Sequence, residues 1–221
     1  MSVDAKLREY VEQALAVVDD QGTHGPRLLD DAGRLWGRVE HFIAMRLVHE
    51  GVDAEALELA CYAMQLPTRR RGKSGTGKAG TGKAAARATL RDRAEEAAEL
   101  LVGIAGPDVD ESLLDRATRI LQEMPHRSPM LDEAKLLADA VNLEDFGVIG
   151  LVGQAIQLGR AGEGVTQLRE GCDKREQYGY WDARLKDGFH FEAVRQIALR
   201  RLSSARQICA TLAAELKQDA P

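Results

Sequence analysis

The chain has 221 residues, which is enough for one domain with a continuous buried core. Its formal net charge of -5 excludes a chain-wide basic field for nucleic acid, so any polyanion site must be local. Aromatic residues make up only 5% of the chain, and its apolar content is mainly Ala and Leu. Because these two residues favour helices over strands, we predict an all-α fold.

The first third of the chain predicts three helices from apolar residues at helical spacing. The first is expected over 3–19, and the second from about 26 or 28 to 50, with Gly51 as its C-cap. Asp53 is expected to cap a third helix, which ends before Pro67. The buried stripe predicted for the second helix consists of Leu35, Val39, Phe42, Ile43 and Leu47.

Residues 68–89 differ from their neighbours in composition. They hold seven basic residues and no acidic one, with glycine at every second or third position in the middle. This composition predicts a flexible inserted loop at about 68–84. Glycine amides and cations can hold an anion such as a nucleotide or RNA phosphate, and the candidates are Arg69, Arg70, Arg71, Lys73, Lys78 and Lys83. A solvated loop without a ligand is the alternative.

Two stretches of this loop, 72–78 and 77–83, approximate the phosphate-binding P-loop. Each is followed by alanine, at Ala79 and Ala84, where a P-loop needs Ser or Thr to hold Mg²⁺. The segment before the loop also has a helical pattern, whereas a P-loop follows a strand. An NTPase is therefore not expected.

The rest of the chain predicts further helices and no sheet. The segment 148–158 is apolar on most faces, which predicts a buried helix. Aromatic residues concentrate over 178–191, where they are expected to form core, or in part a cleft or a dimer contact. The remaining helices are expected over about 84 or 90 to 104, from 108 or 110 to before 125, from 128 towards 146, over 180–186 and over 191–216.

Cysteine usage and hydropathy predict a reduced, cytoplasmic protein. Cys61, Cys172 and Cys209 are odd in number, far apart in sequence and without a C-x-x-C pair, so reduced core thiols are expected. Acidic residues interrupt the apolar pattern of residues 1–20, which excludes a secretory signal there. No run approaches the roughly 18 apolar residues of a membrane span.

Three segments, taken together, resemble the small bacterial HD-domain metal-dependent phosphohydrolases. They are LWGRVEHFIAMRLVHEGVDAEALELACYAMQL over 35–66, EAKLLADAVNLEDFGVIGLVGQAIQLGR over 133–160, and YWDARLK with the charged helix after it over 180–212. The resemblance implies a single HD-type helical bundle over 1–221. In active members, His and Asp side chains hold divalent metals, which lower the pKa of a bound water so that hydroxide can attack a phosphoester.

The family's metal-binding positions carry other side chains in this sequence. The first His position falls on Leu35, three residues before Arg38, the His-Asp pair falls on Met64 and Gln65, and the last Asp falls on Val141. Alkyl, thioether and amide groups do not suit a hard divalent metal as His nitrogen and carboxylate oxygen do. The resemblance therefore implies an inactive member with no metal or cofactor and a binding or regulatory role.

Three polar residues are candidates for a remnant of the family's site. Arg38 and Asp139 stand at positions matched by the resemblance, although the family does not use the latter position as its principal ligand. His126 stands near the family's middle His positions at about 121–127, with a polar loop residue as the alternative. Pro125 interrupts the helix that would align Glu123 with His126 as a ligand pair.

Two other functions stay open alongside a binding role. One is a metal-dependent phosphohydrolase acting on nucleotides or other phosphoesters through ligands that the sequence does not align. The other is a structural homodimer. For the binding role the partner is an unknown ligand, for which a nucleotide or another phosphate-bearing molecule is the candidate.

Overall fold

The computed structural model describes residues 3–16, 25–48, 51–66, 89–105 and 109–218. Helices and no strands occur within these ranges, which confirms the predicted all-α class. The helices are α1 (Val3–Ala16), α2 (Gly25–Ala44), α3 (Ala54–Ala63), α4 (Leu90–Ile104), α5 (Glu111–Glu123), α6 (Asp132–Glu144), α7 (Gly147–Arg160), α8 (Val165–Gln177), α9 (Tyr180–Asp187) and α10 (Glu192–Gln218).

The chain divides into two compact units, Met1–Leu137 and Ala138–Pro221. This division does not test the expectation of a single HD-type domain, which stays a prediction. Among the described helices, none combines the length and the apolar character that a membrane crossing requires. The predicted basic loop at 68–84 lies outside the described residues.

In the first unit, α3 packs against α1, α2, α4 and α5. The sequence fixes its start, because the Asp53 side chain accepts a hydrogen bond from the Ala56 amide at 3.0 Å, as predicted for an N-cap. The same device starts α4 and α5, which are capped by Thr89 and Asp110. The apolar faces that meet here include the fully buried Leu7, Val11, Leu35, Val39, Leu57, Leu101, Ile120 and Leu121.

The end of α2 differs from the prediction. The helix stops at Ala44, and Arg46 takes a left-handed conformation with φ +55°. The Arg46 amide donates to the Ile43 carbonyl at 2.8 Å, which closes the last turn. Because α2 ends seven residues earlier, Gly51 belongs to the segment that leads into α3, and the prediction that it caps α2 is wrong.

In the second unit, α7 packs against α10 and α8. Gly147 begins α7 at φ +84°, and a Cβ added there would lie 2.8 Å from the Cβ of Arg201 on α10. The prediction of a buried helix over 148–158 is wrong, because one face of α7 is open. Val148, Ile149, Val152 and Ile156 are each at least 40% exposed.

Aromatic packing holds α9 in the second unit. The rings of Trp181 and Phe189 lie 5.0 and 5.3 Å from the ring of Phe146, and all three side chains are buried. The predicted aromatic core is thus confirmed for Trp181 and Phe189, whereas Tyr178 is 78% exposed. The sequence pattern also missed α8, which has Leu168 as its buried residue.

Candidate functional site

Three of the replaced HD positions lie in the first unit. Leu35 is fully buried in the middle of α2, and Met64, which follows α3, is 5% exposed. Gln65 is half-buried, and its backbone N–H donates to the Tyr62 backbone carbonyl at 3.1 Å. The side chains of Leu35 and Met64 are therefore part of the hydrophobic core of the first unit.

Val141 and Asp139 belong to the second unit, on the last turns of α6. Val141 is 7% exposed. The Asp139 carboxylate is fully buried and accepts the backbone N–H groups of His190 and Phe191 at 2.8 and 3.0 Å. These amides precede α10, so the carboxylate fixes the start of that helix.

Burial changes the protonation of Asp139. Loss of water raises its pKa to about 7, although the two amide donors and the nearby Arg195 guanidinium favour the charged form. A carboxyl group that accepts two backbone amides is already engaged in the fold. This geometry indicates a structural task for the residue that the sequence marked as a remnant of a site.

The other two remnant candidates lie apart along the first unit. Arg38 is half-buried on α2. Burial raises the pKa of the Cys61 thiol, and the positive charge of Arg38 acts on that pKa in the opposite direction. His126 is exposed in the turn after α5. The Glu123 carboxylate accepts the amides of Met130 and Leu131 at 2.8 and 2.9 Å, so it orders this turn.

Within the ranges that the structure describes, no three His, Cys, Asp or Glu side chains are grouped as a metal site. The anion-binding candidates of the basic loop, Arg69, Arg70, Arg71, Lys73, Lys78 and Lys83, lie outside these ranges. The anion-binding hypothesis for the loop therefore stays a prediction.

The second unit contains a cavity of about 340 Å³ between α7, α8, α9 and α10. A volume of this size suits a small molecule. Its walls combine apolar groups with two thiols, those of Cys172 and Cys209. The apolar lining consists of Leu151, Trp181, Leu202, Ala205, Ala210 and Ala213.

Charged side chains complete the lining of this cavity. The Arg175 guanidinium lies 5.4 Å from the Trp181 ring centre and donates to the Gln154 side chain at 2.6 Å. Arg206 on α10 donates two hydrogen bonds of 2.8 Å to the Glu176 carboxylate on α8. Two guanidinium groups are therefore held in place beside an apolar, aromatic wall.

The two thiols of the cavity are neighbours. The Cys209 thiol donates to Cys172 Sγ at 2.9 Å, and both residues are half-buried. The expectation of three core thiols is therefore confirmed for Cys61 alone, which is fully buried. Spacing in the sequence gave no sign of the pair because α8 itself was missed.

Comparison with solved structures finds the same helical fold elsewhere. The crystal structure of Bacillus subtilis YpgQ in complex with ADP has 17% identity and a TM-score of 0.57, over 100% of this chain and 98% of that one. The Lin1889 protein from Listeria innocua has 17% identity and a TM-score of 0.55, over 98% of each chain. At such identities the likeness shows the fold alone. No family model and no curated protein matches the chain.

Proposed function

We propose that this chain is a non-catalytic ligand-binding protein on an HD-type helical scaffold. The observation that carries the proposal is the burial of Leu35, Met64 and Val141 at the positions where the resemblance expects metal ligands. None of these side chains offers a nitrogen or oxygen to a divalent cation. Without such a cation, hydroxide is not generated at neutral pH by the family's route.

The physical cost of the alternative supports this proposal. An intact ligand cluster without its metal would leave charged groups buried without partners, whereas packed apolar groups in their place are neutral or stabilising. The carboxylate retained from the family's pattern, Asp139, has partners of its own in two backbone amides. The chain thus carries no charge at these positions that needs a metal for compensation.

A nucleotide is the ligand class that we propose to test first. YpgQ, a structure of the same fold, was crystallised with ADP. In this chain, arginine side chains and an aromatic wall occur together in the cavity of the second unit. Guanidinium groups bind phosphate, and aromatic rings stack on bases. A cytoplasmic location and a homodimer stay predictions.

The test combines three measurements on the purified full-length protein. Elemental analysis after dialysis against Mn²⁺ should find no stoichiometric metal, and nucleoside triphosphates with Mn²⁺ should not be hydrolysed. Titration calorimetry with ADP in the presence of a chelator should show saturable heat. Near-equimolar metal together with chelator-sensitive hydrolysis would establish the phosphohydrolase alternative, and absence of ADP binding would remove the nucleotide from the proposal.

A further inference from the structure

We propose that Cys172 and Cys209 form a dithiol site that exchanges with low-molecular-weight disulfides and closes to an intramolecular disulfide. The site lies within the second unit, on α8 and α10. The inference does not depend on the proposed binding role, because it concerns the chemistry of the two sulfurs.

The fold places the two thiols next to each other. The two sulfurs lie 2.9 Å apart although their residues are 37 positions apart in sequence. The packing of α8 against α10 therefore brings them together. A disulfide bond is about 2.05 Å long, so closure requires the sulfurs to approach by only about 0.9 Å.

The two thiols are accessible to small molecules. Both cysteines line the cavity of about 340 Å³, and both are partly exposed. A small disulfide can therefore reach this pair from solvent. Cys61 provides the contrast within the same chain, since it is fully buried and burial raises the pKa of its thiol.

The surroundings give the two thiols different tasks. Burial, the hydrogen bond to Cys172 and the carboxylates of Glu176 and Asp173 raise the pKa of Cys209 to about 12. We therefore assign Cys209 as the thiol that reacts second, and its S–H donates a hydrogen bond to Cys172 Sγ. Arg175, which follows Cys172 by three residues on α8, lines the same cavity as a positive charge.

The exchange proceeds in two balanced steps. The Cys172 thiolate attacks one sulfur of the small disulfide, so that a mixed disulfide forms and one small thiolate leaves. Cys209 loses its proton to solvent and attacks Cys172 Sγ, which releases the second small thiol and forms the Cys172–Cys209 bond. Two protein thiols are oxidised, and one small disulfide is reduced to two thiols.

The test equilibrates the full-length protein with mixtures of glutathione and glutathione disulfide, followed by thiol alkylation and mass spectrometry. Before alkylation the wild type should be about 2 Da lighter than the reduced protein, as two thiols become one disulfide; after alkylation it should carry two fewer labels than the reduced protein, and peptide mapping should join residues 172 and 209. Cys209→Ser should stop at one glutathione on Cys172, because the resolving thiol is absent. Cys172→Ser should acquire glutathione more slowly than Cys209→Ser.

Cys61→Ala is the matched control, and it should oxidise as the wild type does. Circular dichroism checks that each variant is folded, and Cys209→Ala replaces the serine variant if that one is not. Three free thiols in the wild type under oxidising glutathione would overturn the proposal. So would a disulfide that includes Cys61 or joins two chains, or failure of Cys209→Ser to trap the mixed disulfide.

Discussion

The carboxylates of Asp139, Glu123 and Glu133 accept backbone N–H groups, and those of Asp139 and Glu133 are buried. Asp139 accepts two amides before α10, and Glu123 accepts two amides in the turn before α6. Glu133, which is 2% exposed, accepts the Asp53 amide and an Arg116 N–H. An acidic residue that matches a position of a metal-binding family therefore indicates a metal ligand only when its carboxylate is not already hydrogen-bonded to the backbone.

Replacing Asp139 by Asn should destabilise the protein by about 1–3 kcal/mol, because the two backbone N–H groups are accepted by different carboxylate oxygens and Asn replaces one of these oxygens by an NH₂ donor. Urea unfolding at constant temperature measures the loss. Asp115→Asn, at an exposed position of α5, is the control and should change the free energy of unfolding little.

The same carboxyl group makes a pH-dependent contribution. Its pKa is raised to about 7 in the folded protein, against about 3.9 when unfolded. Its favourable contribution is complete below the unfolded value and is lost as the pH rises through 7. The stability gap between the wild type and Asp139→Asn should therefore be widest near pH 4 and narrow towards pH 7. A gap that widens over this interval would contradict the raised pKa.

Met64→His tests the packing at one replaced ligand position. A polar imidazole at this buried position would lose its hydrogen bonds to water, so we expect a cost of about 1–3 kcal/mol. Met64→Leu conserves volume and apolar character and should cost less than about 1.5 kcal/mol. Thermal and urea unfolding compare the two variants, and equal stability of histidine and leucine would show that the position tolerates polarity.

At the scale of elements, the sequence predicted the start of a helix best where a side chain caps it. Asp53 caps α3 as expected, and Asp110, one of the two starts considered for α5, caps that helix, because each carboxylate accepts from an amide within three residues. The end of α2 was not predictable, since apolar residues continue past Arg46 and nothing local marks its positive φ. Helix α8 was not predicted, because it buries so few residues that its sequence carries no apolar stripe.

The ion pair between Arg116 and Glu133 joins α5 to α6 and should be measurable in a double-mutant cycle. Glu133→Ala should cost about 1–3 kcal/mol, because the Asp53 amide and the Arg116 guanidinium lose the buried carboxylate that accepts from both. Arg119→Ala removes an exposed guanidinium from a pair on the same helix and should cost about 0–1 kcal/mol. A coupling energy near zero between residues 116 and 133 would show that the pair does not link the helices.

For the whole molecule, the sequence predicted the fold class but little of the candidate site. Burial of Leu35, Met64 and Val141 follows from side-chain chemistry at each position. The cavity of the second unit depends on tertiary packing, which places Trp181 of α9 with Cys172 of α8 and Cys209 of α10. Such long-range proximity leaves no local pattern in a single sequence.

The contrast between the net charge of -5 and the basic segment also leads to a prediction for the whole chain. If the six candidate cations contact phosphates of single-stranded RNA, the logarithm of affinity should fall with the logarithm of salt with a slope of about -4, from 0.7 per contact. Neutralising Arg69, Arg70, Arg71, Lys73, Lys78 and Lys83 together should abolish binding. Binding that is insensitive to salt would count against the loop as a polyanion site.

The close approach of α7 to α10 restricts position 147 to glycine. At position 147, any side chain meets both a positive φ and the backbone of Arg201. Gly153 in the same helix has open space where a Cβ would stand. In a saturation library selected for protease resistance, codon 147 should return glycine alone, while codon 153 should be enriched in alanine, whose helix propensity is higher. The pair thus separates a glycine that backbone geometry requires from one whose position accepts a side chain.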